Sequence, residues 1–318
     1  MSYVNDSFLD LLPIDDQRLR GLLESSLEKK GIPVTQSSCT LDYWNWESFC
    51  FARASLPRPI AKLPDPRAVL RELNEFRITD ICLAESMGIH YTAKLLLSAD
   101  SYDLCRLYAT FLDDELRHTQ LLRPFAPESL RGDYLFHPLV QLGWRVTKSA
   151  QPLAARLLLQ IVLEGFAVSY YTRLADDCLN SILALGLRSI VRDEAAHHGV
   201  GATLERNRER NDKTSTNDLE ECVNTTIEFL DLYRNWPHAQ LRAVEKVGGK
   251  QSESDLAEVL SALMVTARSQ ALQEQLKKLV VAHYPRDVMS ELEQRNAFAP
   301  STPESVLKSY LVSTIRPT

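Results

Sequence analysis

The pentapeptides DELRH, at residues 114–118, and DEAAH, at residues 193–197, decide the fold because they are two copies of one pattern. Residues i and i+3 of a helix lie on the same face. Each copy therefore presents one glutamate and one histidine to a common point, as a metal-binding helix would.

A lone glutamate precedes each copy by the same distance. Glu85 lies 30 residues before Glu115, and Glu164 lies 30 residues before Glu194. Turn-forming and N-capping residues lie midway, at 98–101 (SADS) and 177–181 (DCLNS). A chain reversal there leaves two legs of about 15 residues, each about 22 Å long, and returns the second glutamate to the level of the first. Each half is predicted to be a helical hairpin in which a glutamate faces Glu-x-x-His.

Most isolated Glu-x-x-His matches are solvated helix charges, but two copies with equal offsets argue against chance. Glu164 also follows the apolar run LLLQIVL at residues 157–163, where an unpaired carboxylate would be costly. Helical bundles with one glutamate from each of two helices and Glu-x-x-His from two others hold two metal ions. We therefore predict a dinuclear site with the ligands Glu85, Glu115, His118, Glu164, Glu194 and His197.

The complete ligand set resembles that of the ferritin-like carboxylate-bridged di-iron proteins. This family includes multicomponent monooxygenases, acyl-carrier-protein desaturases, aldehyde-deformylating oxygenases, arylamine N-oxygenases, ribonucleotide reductase small subunits and ferritins. The resemblance covers residues 66 to 210 and implies an all-α fold, a ferritin-like four-helix bundle with additional N- and C-terminal helices. It also implies that Glu115 and Glu194 bridge the metals, and that Asp114 and Asp193 accept histidine N–H groups and so orient the rings.

The sequence departs from the residue patterns of two subfamilies, which makes membership of either less expected. Leu122 stands where most ribonucleotide reductase small subunits carry the radical-forming tyrosine, and Ile190 stands where arylamine N-oxygenases carry an extra histidine ligand. His198 lies about 100° around the helix from His197, so we expect it to support a ligand or to face solvent. Ala196 replaces the arginine of the first copy, which makes the match of the second copy looser.

Composition limits the remaining possibilities. With 318 residues and 45% hydrophobic content, the chain can bury one large core, or a core with a small helical extension. A net charge of −6 argues against nucleic acid as a partner. Six cysteines without a Cys-x-x-Cys pair predict buried thiols in a reducing compartment, and hence a cytoplasmic protein. The chain start has no basic segment and no apolar run approaches a membrane span, so no membrane partner is expected.

Proline, glycine and polar clusters divide the chain into three predicted regions. Residues 1–64 form a helical and loop extension, residues 65–211 the di-iron bundle, and residues 212–318 a helical extension that packs on the bundle or on a second copy of the chain. The aromatic cluster of the first region is predicted to be core packing: Tyr43, Trp44, Trp46 and Phe49. The charged run at 205–210 is predicted to be a solvated helix end.

The same proline, glycine and polar clusters predict the helix boundaries. Helices of the bundle are predicted at 66–97 and 101–122, from about residue 152, and from 181 to the charged run, with a short helix around Trp144 in the crossover. C-terminal helices are predicted at 218–235, 238–247, 253–283 and 303–313. Apolar residues at helical spacing are expected to pack on the bundle or on a second copy of the chain in this last region: Leu256, Val259, Leu260, Leu263 and Met264.

Four carboxylates and two imidazoles form a donor set that suits iron or manganese better than zinc. The expected cofactors are two Fe ions cycling between Fe²⁺ and Fe³⁺, or a Mn/Fe pair, with O2 as co-substrate. Residues one helical turn from the ligands are expected either to line a substrate slot or to be ordinary core: Gly88, Ile89, Thr92, Phe111, Ala167, Val168 and Ile190.

The sequence therefore predicts an O2-dependent non-haem di-iron oxygenase or oxidase. Its substrate would be a small organic metabolite, changed by hydroxylation, N-oxygenation, desaturation or oxidative C–C cleavage. A ferredoxin or reductase is the expected electron donor, and a homodimer is among the expected states. The alternatives are a ferroxidase or iron-handling protein, a protein like ribonucleotide reductase small subunits, and a helical interaction protein with a purely structural site. Residues 1–64 and 212–318 exceed what a minimal storage subunit needs, which favours an oxygenase.

Overall fold

A computed structural model of the chain describes residues 43–46, 50–51, 55–126, 137–149, 152–208 and 215–315. These residues are helical apart from their connections and one isolated β-bridge between Trp44 and Cys178. The predicted all-α class is confirmed. The described residues form two compact units: one contains 78–126 and 137–141, and the other contains the rest.

The helices lie close to their predicted positions. In chain order they are α1 (Arg58–Ala61), α2 (Pro66–Leu97), α3 (Tyr102–Leu122), α4 (Pro138–Lys148), α5 (Pro152–Ala155), α6 (Glu164–Asp176), α7 (Ser181–Arg208), α8 (Thr216–Arg234), α9 (Pro237–Gly248), α10 (Glu253–Ala262), α11 (Val265–His283), α12 (Arg286–Gln294) and α13 (Pro303–Ile315). A π-helical segment, Arg156–Leu163, joins α5 to α6, and a 3₁₀ turn, Arg123–Phe125, follows α3.

Side-chain caps explain where several helices begin. The carboxylate of Asp65 accepts the backbone N–H of Ala68 (3.2 Å) at the start of α2, which has proline in its first turn. The hydroxyl of Ser101 accepts the N–H of Leu104 (3.3 Å) at the start of α3. Asn180 caps α7 in the same way. The turn residues that the sequence places midway between the paired glutamates are therefore helix caps.

The first unit contains the C-terminal part of α2 and all of α3. Ser98 ends α2 by donating its N–H to the carbonyl of Lys94 (3.0 Å), and the chain then reverses into α3. Tyr108 and Phe111 of α3 are buried and pack edge to face. The predicted hairpin in this part of the chain is confirmed.

The second unit contains the other hairpin and the C-terminal helices. Helix α6 packs along α7, and the π-helical segment packs against α7 and α11. Helix α12 packs on α8, while α13 and α1 pack on α10. The aromatic cluster is core packing as predicted for Tyr43, Trp44 and Trp46, whereas Phe49 lies outside the described residues. The indole N–H of Trp44 donates to the carbonyl of Leu174 (2.9 Å).

The C-terminal region departs from its predicted pattern at one position. The single helix predicted over 253–283 is wrong, because the chain breaks between α10 and α11 at Met264, whose φ of 52° is left-handed. Within the single chain Met264 is 49% exposed, whereas Leu256, Val259, Leu260 and Leu263 are buried. Helix α12 was not predicted.

The third helix of the predicted bundle contains the π-helical segment, which the sequence did not indicate. The N–H of Glu164 donates to the carbonyl of Leu159, five residues earlier, so the turn before Glu164 is wider than an α-helical turn. Residues Leu153–Asp176 form the one described helix long and apolar enough to cross a membrane, which corrects the expectation that no segment reaches that length. More than half of its apolar window is buried within the protein, as in the core helix of a soluble protein.

The charged run at the end of α7 is also not wholly solvated. Glu205 is buried, and its carboxylate accepts the Nε–H of Arg156 from the first turn of the π-helical segment (3.2 Å). The prediction of a solvated helix end is therefore wrong for Glu205. A partner 49 positions away in the sequence accounts for the difference.

Candidate metal centre

The first unit buries a triad of two carboxylates and one imidazole, which we call the first triad: Glu85, Glu115 and His118. Nδ1 of His118 lies 2.9 Å from Oε2 of Glu85 and 3.9 Å from Oε2 of Glu115. Potential ligand atoms of all three side chains lie within 4.8 Å of one another. The α2–α3 hairpin thus faces Glu85 toward Glu-x-x-His, as the equal spacing predicts.

The second unit buries an equivalent set, the second triad: Glu164, Glu194 and His197. Nδ1 of His197 lies 3.9 Å from Oε2 of Glu164 and 3.6 Å from Oε2 of Glu194. Potential ligand atoms of the three again lie within 4.8 Å of one another. Helix α7 supplies the glutamate and histidine, and α6 begins with Glu164 directly after the π-helical segment.

The electrostatics of each triad favour a cation. All six residues are at most 8% exposed, so an ionised carboxylate there has little access to water. With its imidazole neutral, each triad carries a charge of about −2, which one divalent ion would neutralise. Four carboxylate groups and two imidazoles in all match the hard donor set of iron or manganese. The residues therefore fit the expected metals, and each triad can hold a metal ion.

The two histidines direct the same ring nitrogen toward their carboxylates. In both triads the nearest imidazole atom is Nδ1. A metal ion would take the place of the proton on this nitrogen. Nε2 then remains as the N–H that an outer acceptor would orient.

The acceptors predicted for these N–H groups are Asp114 and Asp193. Both are partly buried, and the carboxylate of Asp114 accepts a hydrogen bond from the guanidinium of Arg117 on the next turn of α3 (3.0 Å). Whether either aspartate orients a histidine stays a prediction.

His198 supports the helix that carries Glu164. Its Nδ1–H donates to the carbonyl of Ile161 in the π-helical segment (2.9 Å), and its ring packs edge to face on His283. A Cβ added at Gly165 would lie 2.8 Å from Nδ1 of His198, so the absence of a side chain at Gly165 admits the ring. His198 is partly buried, so it does not simply face solvent, and whether it supports a ligand stays a prediction.

Gly88, one of the residues predicted to line a slot, lies directly beside the carboxylate of Glu115. A Cβ added at this position would lie 2.7 Å from Cδ of Glu115 and closer still to Oε2. The carboxylate of Glu115 therefore occupies the space beside Gly88. No motif could have indicated this, because the space depends on how closely α2 and α3 approach.

Most of the other residues predicted to lie near the ligands are buried, whereas Ala167 and Val168 are only partly buried. Ile89, Thr92 and Phe111 are buried in the first unit, and Ile190 is buried in the second. Leu122, at the position of the radical-forming tyrosine, is also buried. Such surroundings would keep bulk water from both triads.

Comparisons with known proteins give no assignment: no protein-family description, curated protein or solved structure significantly matches the chain.

Proposed function

We propose that this protein is an O2-dependent oxygenase or oxidase that holds two iron ions in one centre and acts on a small organic metabolite. The observation that carries the proposal is the repeated triad. Two buried sets of two carboxylates and one imidazole arise from hairpins with the same 30-residue offset. A single accidental triad would not explain the repetition.

The repetition also supports one dinuclear centre rather than two separate sites. Helical bundles that combine one glutamate from each of two helices with Glu-x-x-His from two others build such centres. In this arrangement Glu115 and Glu194 are the proposed bridging carboxylates. The six side chains together would carry a charge of about −4, which two divalent ions balance. We extend the proposal to a ferritin-like four-helix bundle for residues 65–211.

When bound, two ferrous ions would supply electrons for the reduction of dioxygen. The glutamates and histidines would hold the ions and the buried apolar residues would exclude water. Leu122 offers no phenol for radical storage, which favours an oxygenase over a reductase subunit. The helices after residue 215 are more than an iron-storage subunit needs, which disfavours a ferroxidase. We propose an electron-donor protein as partner and the cytoplasm as location.

An oxygen-consumption assay tests this function. Protein loaded anaerobically with Fe²⁺ and freed of excess iron would be mixed with O2 and a panel of fatty aldehydes, carrier-bound acyl groups, aryl amines and amino acids. We expect at least one compound to accelerate O2 consumption and to be recovered as an oxidised product. The matched control is His118→Ala, which should abolish the acceleration. Continuous oxidation of many added Fe²⁺ ions per chain, with no effect of any compound, would instead indicate a ferroxidase.

A further inference from the structure

We propose that Gly88 is a positioning residue for the metal centre: the absence of a side chain there creates the space that the Glu115 carboxylate occupies. The inference rests on the proposed role of Glu115 as a ligand. It assigns a role to a residue that offers no ligand atom, and it concerns contacts within the first unit.

The geometry supports this role directly. A Cβ at Gly88 would lie 2.7 Å from Cδ and 3.2 Å from Oε1 of Glu115, with Oε2 nearest. Real Cβ atoms essentially never approach another heavy atom within 3.0 Å, so the carboxylate and the added methyl group could not keep these positions together. Glu115 is 2% exposed, so the carboxylate that would have to move is a buried one.

The position of Gly88 in the sequence strengthens the argument. Gly88 lies one turn after Glu85 in the interior of α2, where glycine costs helix stability relative to alanine. Nothing in the backbone requires glycine there, since the positive φ values of the described residues occur elsewhere. The close approach of a ligand carboxylate is a sufficient reason for this glycine.

Other glycines of the chain provide the contrast. A Cβ added at Gly186 or Gly199, both on α7, would meet no heavy atom within 4 Å. Gly186→Ala is therefore a matched control, because it makes the same change within a helix without a steric consequence. It should affect helix stability and leave metal binding unchanged.

Substitution at Gly88 should separate folding from metal binding. The carboxylate ends a flexible side chain, so it can yield to a new methyl group and the protein should still fold. If the carboxylate moves, however, it leaves its place beside His118, whose Nδ1 lies 3.9 Å from Oε2 of Glu115. Gly88→Ala should therefore weaken metal binding far more than it changes folding.

The test measures binding of Mn²⁺ alone to the full chain, by competition with a chelator, for the parent, Gly88→Ala and Gly186→Ala. We expect Gly88→Ala to weaken binding by about 10–100-fold, the range typical of residues that orient metal ligands. Gly186→Ala should change it by less than about twofold. Parent-like binding by Gly88→Ala would overturn the inference and leave the proposed function intact. A parent protein that binds no Mn²⁺ or Fe²⁺ would overturn both.

A second measurement distinguishes a steric effect on Glu115 from general damage to the fold. In a Glu115→Ala background the carboxylate is gone, and Gly88→Ala should raise the unfolding temperature by about 1–3 °C, as expected for alanine in place of helical glycine. In the parent background it should lower the unfolding temperature or leave it unchanged. An equal shift in both backgrounds, including a failure to fold in both, would show that Gly88 does not act through Glu115.

Discussion

Two ionised carboxylates that are withdrawn from water and placed close together repel each other, and a cation between them lowers this cost. This holds for Glu85 and Glu115 beside His118, and for Glu164 and Glu194 beside His197. At the scale of single residues, the proposed metal ions therefore balance charge as well as supplying chemistry. Removing one ligand should weaken the binding of an ion and leave an uncompensated charge.

The aspartates that precede the paired glutamates offer a residue-scale test. If Asp114 and Asp193 orient the ligating imidazoles, Asp114→Asn and Asp193→Asn should each weaken iron retention by about 10–100-fold, because an amide is a poorer acceptor for the ring N–H. Iron retained after dialysis against a chelator measures the effect. Asp103→Asn, in the first turn of α3, is the control. If both variants retain iron as well as this control, the aspartates are ordinary helix charges.

Single residues also show which features of the site can be predicted from the sequence and which cannot. The i,i+3 spacing of a glutamate and a histidine is a local property, so the members of each triad were named from the sequence alone. The contact between Gly88 and Glu115 is not local, because it joins two helices. The distance between these helices depends on all the side chains that pack between them. The contact of Gly88 with Glu115 could therefore not be predicted from the sequence.

At the scale of elements, the break between α10 and α11 makes a backbone prediction. Met264 has φ 52° and ψ 45°, a conformation costly for a residue with a side chain, and 49% of it is exposed. Met264→Gly should raise the free energy of unfolding by up to about 1 kcal/mol, because glycine adopts this conformation without strain. Urea denaturation measures the change.

The control makes the opposite kind of substitution, from glycine to alanine, at another residue with positive φ. Gly249 has φ 70°, and a Cβ there would meet nothing within 4 Å, so Gly249→Ala introduces backbone strain without a steric clash. It should lower the free energy of unfolding by about 1 kcal/mol. Destabilisation by Met264→Gly comparable to that of Gly249→Ala would mean that packing of the methionine outweighs its backbone strain.

The ion pair between the π-helical segment and α7 makes a second prediction at this scale. Arg156 and Glu205 are 16% and 7% exposed, so Arg156→Met would leave a carboxylate with poor access to water. We expect a loss of about 3 kcal/mol in the free energy of unfolding, and recovery of most of it when Glu205→Leu is added. The exposed pair of Arg188 and Asp176 is the control, and Arg188→Met should cost under about 1 kcal/mol. Equal losses for both arginines would contradict this.

The elements themselves were largely predictable because their signals are local. Asp65 with Pro66, and Ser101, mark helix starts by hydrogen bonds within the first turn. The π-helical segment and the left-handed Met264 carry no such signal. The π-helical segment packs against α7 and α11, so its shape depends on residues far away in the sequence. Met264 joins α10 to α11, and packing sets the directions of these two helices.

At the scale of the whole molecule, buried thiols predict sensitivity to alkali. Burial raises the pKa of Cys50 to about 11 and that of Cys222 to about 12, from 9.0. Above about pH 9 the unfolded chain releases these protons while the folded chain keeps them, so the free energy of unfolding should fall as pH rises toward the folded pKa values. Urea midpoints between about pH 8 and pH 11 measure the slope.

Cysteine variants identify the source of that slope. Cys50→Ala combined with Cys222→Ala should lose less stability over this pH range than the parent, because the variant has two fewer groups that titrate differently in the two states. Cys105→Ala, on α3 and only partly buried, is the control for removing a thiol. A double variant with the same alkaline slope as the parent would assign the loss to other groups, of which Cys82, whose pKa is raised by burial to about 12, is the first candidate.

The all-α class was predictable for the whole chain because helical spacing and helix punctuation recur throughout it. The identity of the substrate was not, since a binding slot depends on side chains from several elements that no single motif records. The boundaries at residues 64 and 211 stay predictions.

The central claim is that the two triads together hold two iron ions in one coupled centre. Iron content combined with electron paramagnetic resonance of the anaerobically loaded and then oxidised protein tests it most directly. The account predicts about two iron ions per chain and no signal from isolated ferric ions, because Glu115 and Glu194, as the proposed shared ligands, would hold the two ions close enough for their spins to couple. One iron or fewer per chain, or two that both give the signal of isolated ferric ions, would contradict it.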